Sequence, residues 1–442
     1  MEIELYILKY CGLFDFDKRQ RALLLKSCFF ERRKSDADTA AYLHDQYYPF
    51  FRPFLSNEND DTDQFTILTG SLNLPRRNYR CRVKKDSDNW INFSVSGVEL
   101  FLFPEAPGIV SLDIRLSEEN RTDELLSALV NATRSYANKI YDTDREGLPM
   151  TMLQLIEQDV LNIVAGEPGA FNLHNKEGIA NYRGSKLKVF QAIDLSGGAS
   201  VNIQRTLFAL GTVSPLDTMS EDGRLNGHSD QYYEETAKHA LNVYTNWTAL
   251  CLFDTFTAVG RDYLTKGQTL KTWQENYFRI YVYNLYFKYR LFSINGEGIH
   301  VKKRLKKLRA DFYEFIGRYD NEHISYNFLP NLIHHSIRQG LQTATETEAL
   351  RSRIEHINGI ISEGTNKMTN WILFGLAIIG LLPSNWHDLT QAGSEDGKPV
   401  ISFYTPNCII LAVKVTIIVG IFVGHLVVTG RLRRFFKRSA GI

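Results

Sequence analysis

The amino-acid sequence predicts an α+β cytosolic domain followed by a long α-helical stalk and two C-terminal transmembrane helices. Three observations predict it. The region up to about residue 270 mixes the two-residue period of strands with the 3.6-residue period of helices. From about residue 345, apolar residues recur at heptad-like spacing. Two apolar runs lie near the C-terminus, the clearer being about 21 residues from Cys408 to Val428, enough to span a bilayer. The implied organisation is a cytosolic α+β domain (1–270), a helical stalk region (271–365) and a transmembrane domain (366–442) with spans at about 366–386 and 408–428 and a basic tail. With 51 basic and 50 acidic residues, a net charge of +1 exerts no global attraction on nucleic acid, and direct nucleic-acid binding is not expected.

In chain order, Met1 to Phe14 carries Glu2, Glu4 and Lys9 within apolar sequence and lacks the order of a signal peptide, so the N-terminal part is expected in the cytosol. Cys11, Cys28, Cys81, Cys251 and Cys408 are scattered, which predicts neither a zinc site nor a disulfide framework. Glu58, Asp60, Asp61 and Asp63 offer oxygens to a hard cation, but such a run is more often a solvated loop, and no metal site is assigned. The densest basic cluster is LPRRNYRCRVKK, with Arg76, Arg77, Arg80, Arg82, Lys84 and Lys85. If its second half is a strand, Arg80, Arg82 and Lys84 share one face and form a clamp for a phosphate or nucleotide; the alternative is a charged edge strand that resists aggregation. The candidate ligand-binding residues are Arg76, Arg77, Arg80 and Arg82. Lys186 and Lys188 show the same alternation more weakly.

Phe93–Pro104 and Gly108–Arg115, joined through Glu105, Ala106 and Pro107, read as a hairpin. Ser117 is predicted to cap a helix through about Tyr136, with Glu118 and Glu119 in its first turn. Val189–Leu195, Thr206–Val213 and Trp247–Val259 are further strand candidates. No phosphate-binding loop, dinucleotide fingerprint, zinc-protease or nucleophile-elbow pattern occurs, so no catalytic residues are assigned and an enzyme is not expected.

Trp273 to Phe292, interrupted by Arg279, Lys288 and Arg290, reads as a buried aromatic helix, and Lys302–Tyr319 as a basic helix with a solvated face. His334 and His335 are adjacent, cannot form an i, i+4 metal pair, and are read as structural. Leu350, Ile354, Ile357, Ile361 and Met368, with Gly364 between, form either a coiled-coil seam or the inner face of a helix packed on its own domain. One helix is expected from near Thr345 to Leu382. The apolar run Trp371–Pro383 becomes a full span only when extended back through the polar Asn366–Asn370, which suggests pore-lining roles for Asn366, Thr369, Asn370, Ser384 and Asn385. Arg431, Arg433, Arg434, Lys437 and Arg438 follow the second run, while the preceding loop is acidic, so both termini are expected inside the cell inner membrane as a multi-pass protein.

This order of parts resembles the CorA family of pentameric cation channels. That family closes its first span with Gly-Met-Asn and an aromatic residue; here Pro383, Ser384, Asn385 and Trp386 keep the Asn and the aromatic position and replace the other two. The aromatic helix followed by KKRLKKLRADFYEFIGRYDNEHISYNFLPNLIHHSIRQGL is similar to divergent CorA-like proteins, including those associated with type III CRISPR systems. The resemblance implies a homo-oligomer, a pentamer, in a lipid bilayer, acting as an antiviral channel effector opened by a nucleotide second messenger of the SAM-AMP type. Two other readings share the architecture: a transporter of magnesium or another divalent cation, with Mg2+ as permeant or regulatory ion, and a membrane-anchored signalling scaffold.

Overall fold

The first strand, β1 (Ile3–Phe14, IELYILKYCGLF), is buried along nearly its whole length, which places it in the middle of a sheet covered on both faces. A computed structural model describes residues 2–33, 37–56, 65–70, 77–83, 89–117, 121–136, 138–144, 148–173, 186–196, 203–214, 228–264, 268–296, 302–380, 390–395, 398–403, 412, 413 and 416. Two units are distinguished, Met1–Arg351 and Ser352–Ile442.

The first unit is built on an 11-stranded sheet. β1 pairs antiparallel with β6 (Gly108–Leu116) on one side and with β9 (Lys188–Leu195) on the other. Beyond β9 lie β11 (Thr255–Gly260), parallel to it, and β10 (Trp247–Leu252). Beyond β6 lies β5 (Trp90–Leu102), whose far edge is divided at an irregularity between Val95 and Gly97. Its first half pairs with β4 (Arg77–Arg82) and its second half with β3 (Thr66–Gly70). β2 (Phe30–Arg32), β7 (Lys139–Asp142) and β8 (Pro149–Thr151) complete the sheet.

Alternation along β1 sends Tyr6, Leu8 and Tyr10 to one face, where they join Leu126, Leu129 and Val130 of α4 (Asp123–Thr133) and Leu155, Ile156 and Val160 of a π-helical turn, Leu155–Leu161. That turn lies between α5 (Met152–Gln154) and α6 (Asn162–Ala165). The opposite face meets the aromatic segment expected from the sequence, which is a π-helical turn, Trp273–Tyr277, running into α10 (Phe278–Gly296). Phe278 packs against Phe101 and Phe190, and Tyr286 stacks on Phe103 at 3.6 Å between ring centroids. The remaining helices of the unit are α1 (Lys18–Leu25), α2 (Ala37–Gln46), α3 (Arg52–Ser56), α7 (Ile203–Thr212), α8 (Asp230–Ala237), α9 (Gln268–Thr272), α11 (Lys302–Tyr319) and α12 (Phe328–Gly340). Gly340 ends α12 against the Cys251 backbone, an approach that a Cβ would block.

The expected hairpin around Pro107 is present as β5 and β6, and Trp247–Val259 is itself a hairpin, β10 and β11. Two expectations are corrected. The helix after β6 begins at Asp123, capped by Thr122, whose hydroxyl accepts from the Leu125 N–H; Ser117 lies before it and Glu118 and Glu119 lie outside the described residues. Thr206–Val213 is not a strand but most of α7, because a short run this apolar fits either period and is decided by the sheet it covers.

The larger correction concerns the membrane. A single helix, α13 (Thr343–Gly380), occupies nearly the interval expected for stalk and first span, yet no helix among the described residues is long and apolar enough to cross a membrane. Its apolar end from Trp371 to Gly380 is about half of the roughly 20 residues that a span requires, and the preceding turn holds Asn366, Lys367, Thr369 and Asn370. Where an outer loop was expected, β12 (Thr390–Glu395) and β13 (Lys398–Phe403) form a hairpin. The run 408–428 lies outside the described residues except at 412, 413 and 416. The two-span architecture and the multi-pass inner-membrane localisation are thus overturned. The start of the expected seam, Leu350, is only 3% exposed within the chain itself.

Charge is buried at the heart of the first unit. Lys9 of β1 reaches Glu99 of β5 at 3.2 Å and Asp113 of β6 at 2.5 Å. Arg33 bridges Glu99 at 3.0 Å to Glu275 of the second π turn at 2.5 Å. Arg279 of α10 is wholly buried and donates to the Leu55 carbonyl of α3. Burial opposes the Glu99 charge, but Lys9, Arg279 and Arg33 together hold its carboxyl below its ordinary range. Burial, reinforced by repulsion from Arg33, brings Arg279 down to about 10.

His334 of α12 is held neutral by the same principle. Asn284 of α10 lies 2.9 Å from its Nδ1 and the Asn321 carbonyl 2.9 Å from its Nε2, an arrangement satisfied by one neutral tautomer. Burial lowers its pKa to about 4 from 6.5. Between those values the unfolded chain binds a proton that the native chain does not, so stability falls as pH drops through the window, by up to about 3 kcal/mol. In His334→Gln this component should vanish. Its denaturation midpoint should therefore fall less than that of the wild type between about pH 7 and about pH 4.5; equal falls would show that His334 does not carry the effect.

Candidate functional site

The basic cluster singled out in the sequence does form a strand. β4 is in register with β5, Arg80 opposite Asn92 and Arg82 opposite Trp90, and its other edge pairs with β7, Arg80 opposite Tyr141. The two-residue period then divides its arginines. Tyr79 and Cys81 turn into the core, at 2% and 1% exposure. Arg77 forms a 2.5 Å ion pair with Asp159 of the first π turn. Burial works against the Arg77 charge, but the carboxylate outweighs it and raises the guanidinium pKa. Arg77 therefore fastens β4 to the interior.

Arg80 and Arg82 lie on the other face, as the alternation requires, with guanidinium carbons 4.5 and 4.9 Å from the centre of the Trp90 ring. Tyr141 meets Trp90 edge-on at 5.1 Å. The Arg80 Nε is buried with no hydrogen-bond partner among the described residues. Beside this stack, a pocket of about 700 Å³ opens over the ends of β4, β5 and β6. Asn78, Asn92 and Ser94 line it, together with Arg115, Ser117, Arg121 and Thr143. Its rim is tied by backbone: the Thr143 N–H and hydroxyl donate to the Asn78 carbonyl at 3.0 and 2.8 Å, and the Ser117 N–H donates to that of Asn92 at 3.3 Å. Arg115 donates through Nε to Ser96 at 3.3 Å. Among the described residues the lining contains two arginines and no carboxylate, the Asp144 carboxylate at its edge accepting from the Asn78 N–H at 3.1 Å. Such a surface suits an oxyanion, since guanidinium hydrogen bonds to phosphate or carboxylate are charge-assisted and directional.

Of the remaining candidates, Arg76, Lys84, Lys85, Ser384, Asn385 and the acidic run at Glu58–Asp63 lie outside the described residues. Asn366, Thr369 and Asn370 lie on α13, which is not long and apolar enough to cross a membrane, as is true of every helix among the described residues. No group of three or more His, Cys, Asp or Glu side chains among the described residues is placed to hold a metal. Sequence reasoning missed Arg115 and Arg121, which are more than thirty residues from Arg80 and join it only through the β4–β5–β6 register. The signal available was the alternation ending the Gly108–Arg115 strand on an arginine.

The two kinds of arginine should separate in equilibrium unfolding. Arg77→Gln removes the cation paired with the largely buried Asp159 and should cost about 2–3 kcal/mol, whereas Arg82→Gln on the exposed face should stay within about 0.5 kcal/mol of the wild type. Similar costs would mean that β4 does not present its arginines to opposite faces. No family model, no curated protein and no solved structure matches the chain.

Proposed function

We propose that the first unit is a receptor for a small phosphate-bearing nucleotide and that the protein works as a ligand-responsive sensor. The observation that carries this reading is the pocket lined by Arg115 and Arg121, with no carboxylate in its lining among the described residues, together with Arg80, in register with the lining residue Asn92, and Arg82, both over the Trp90 ring. A guanidinium stacked on a ring still presents its N–H edge to an oxyanion, and aromatic surface alongside suits a base. A nucleotide of the SAM-AMP type, the ligand implied by the resemblance, supplies both a phosphate and adenine rings. Among the described residues the pocket lining offers hydrogen-bond donors and cations, which suit binding of an oxyanion. Because no helix among the described residues is long and apolar enough to cross a membrane, the reading ends at binding and includes no pore.

Calorimetric titration of the full chain with ADP and with the adenosylmethionine–AMP conjugate tests it. Saturable binding that weakens with salt is expected for at least one of them. Arg80→Gln and Arg115→Gln should each weaken it about tenfold or more, since a charge-assisted hydrogen bond contributes about 1.5–3 kcal/mol. Affinity unchanged in both variants would remove the site from consideration.

A further inference from the structure

A second cationic cluster sits at a different place in the same sheet, where β9 begins and β10 turns into β11. Asp254, in that turn, accepts from Lys188 of β9 at 2.8 Å, from Lys288 of α10 at 3.1 Å and from the Tyr289 hydroxyl at 3.0 Å. The Tyr281 hydroxyl donates to its backbone carbonyl at 2.5 Å. Arg134, at the C-terminal end of α4, lies within electrostatic range of Asp254, Tyr281 and Tyr289, and its Nε is buried with no hydrogen-bond partner among the described residues. The Arg134 carbonyl accepts from the Leu187 N–H at 2.8 Å, which fixes this end of α4 to the start of β9.

The charges here do not balance. The network around Glu99 sets Lys9, Arg33 and Arg279 against Glu99, Asp113 and Glu275, three against three. Around Asp254 three cations, Lys188, Lys288 and Arg134, face one carboxylate among the described residues. The Lys188 side chain is only 1% exposed, and burial together with repulsion from Lys288 and Arg134 lowers its pKa despite Asp254. A surplus of about two positive charges in a partly desolvated place is costly unless an anion joins it. The cluster is also reachable: the Asp254 side chain is 20% exposed, and Phe253 beside it is 59% exposed at a φ of 53°. Phe253 and Asp254 are the two loop residues of the β10–β11 hairpin, whose turn requires the positive φ and carries Asp254 at the sheet's edge.

We infer that Arg134 and Lys288, backed by the Lys188–Asp254 pair, form a second anion site for a phosphate monoester or inorganic phosphate. Its dianion matches the surplus charge, and a guanidinium and an ammonium supply the donors that a phosphate accepts. This site is separate in residues from the pocket beside Arg80 and does not depend on it.

The test uses the full chain carrying Arg80→Gln and Arg115→Gln, so that the other pocket is disabled, with inorganic phosphate as the probe against chloride at equal ionic strength. Phosphate should bind saturably in the millimolar range or below and raise the melting temperature. Adding Arg134→Gln or, separately, Lys288→Gln should weaken it about tenfold or more. In Asp254→Asn the cations lose the one carboxylate that faces them among the described residues, so phosphate should raise the melting temperature by more than it does in the parent. That readout holds even where a cation variant folds poorly. Absence of phosphate binding in the parent, or affinity indifferent to both cation variants with no enhanced rescue in Asp254→Asn, would overturn the inference.

Discussion

A lysine in the middle of a central strand buried on both faces constrains everything around it. Lys9 is only 5% exposed, so β5 and β6 must bring Glu99 and Asp113 to it, and Glu99 is shared with Arg33. Arg33 then commits Glu275, and with it the π turn from which the aromatic helix Phe278–Gly296 starts. Apolar burial drives that helix onto the sheet, but aromatic surface packs in many registers. The ionic links choose one, in which Phe278 lies against Phe101 and Phe190 and Lys9 sits 4.6 Å from its ring centre.

The same arrangement decides what stays open. Exposure of Asn78, Arg82, Asn92 and Arg115 marks the β4–β5–β6 end of the sheet as uncovered on the face that carries them. Because β5 pairs with β4 and β3 on either side of its irregularity, the open segment is the one opposite β4, where the sequence places its arginines. Where the interior is charge-balanced the groups serve the fold; where cations are in excess, a ligand is the natural counter-ion. The balance of charge thus separates structural from binding residues more sharply than burial does, since Lys188 is as buried as any core side chain.

Much of the first unit was legible in the sequence. The hairpin around Pro107, the strand Val189–Leu195, the aromatic helix and the structural histidine each had a local cause: turn chemistry, β-branched alternation, aromatic density, adjacency of two histidines. The shared face of Arg80 and Arg82 was legible for the same reason, because period two is a local rule. What was not legible depended on partners distant in sequence. Arg77 looks like its neighbours until Asp159 is placed beside it, and Arg115 joins Arg80 only through register. Thr206–Val213 reads equally as strand or helix because its apolar run, Leu207–Leu210, is too short to show either period. The apolar end of α13 was read as a membrane span by extending it through polar turns, and that extension, rather than the apolar residues themselves, was the error.

The account is tested most directly by equilibrium unfolding of Glu99→Gln, with Arg115→Gln as the surface reference. If the buried network sets the seating of the aromatic helix, Glu99→Gln leaves Lys9 and Arg33 each short of a buried counter-charge and should cost about 3 kcal/mol or more, while Arg115→Gln stays within about 0.5 kcal/mol of the wild type. A Glu99→Gln protein as stable as the Arg115→Gln protein would contradict it, and would mean that apolar packing alone holds the helix on the sheet.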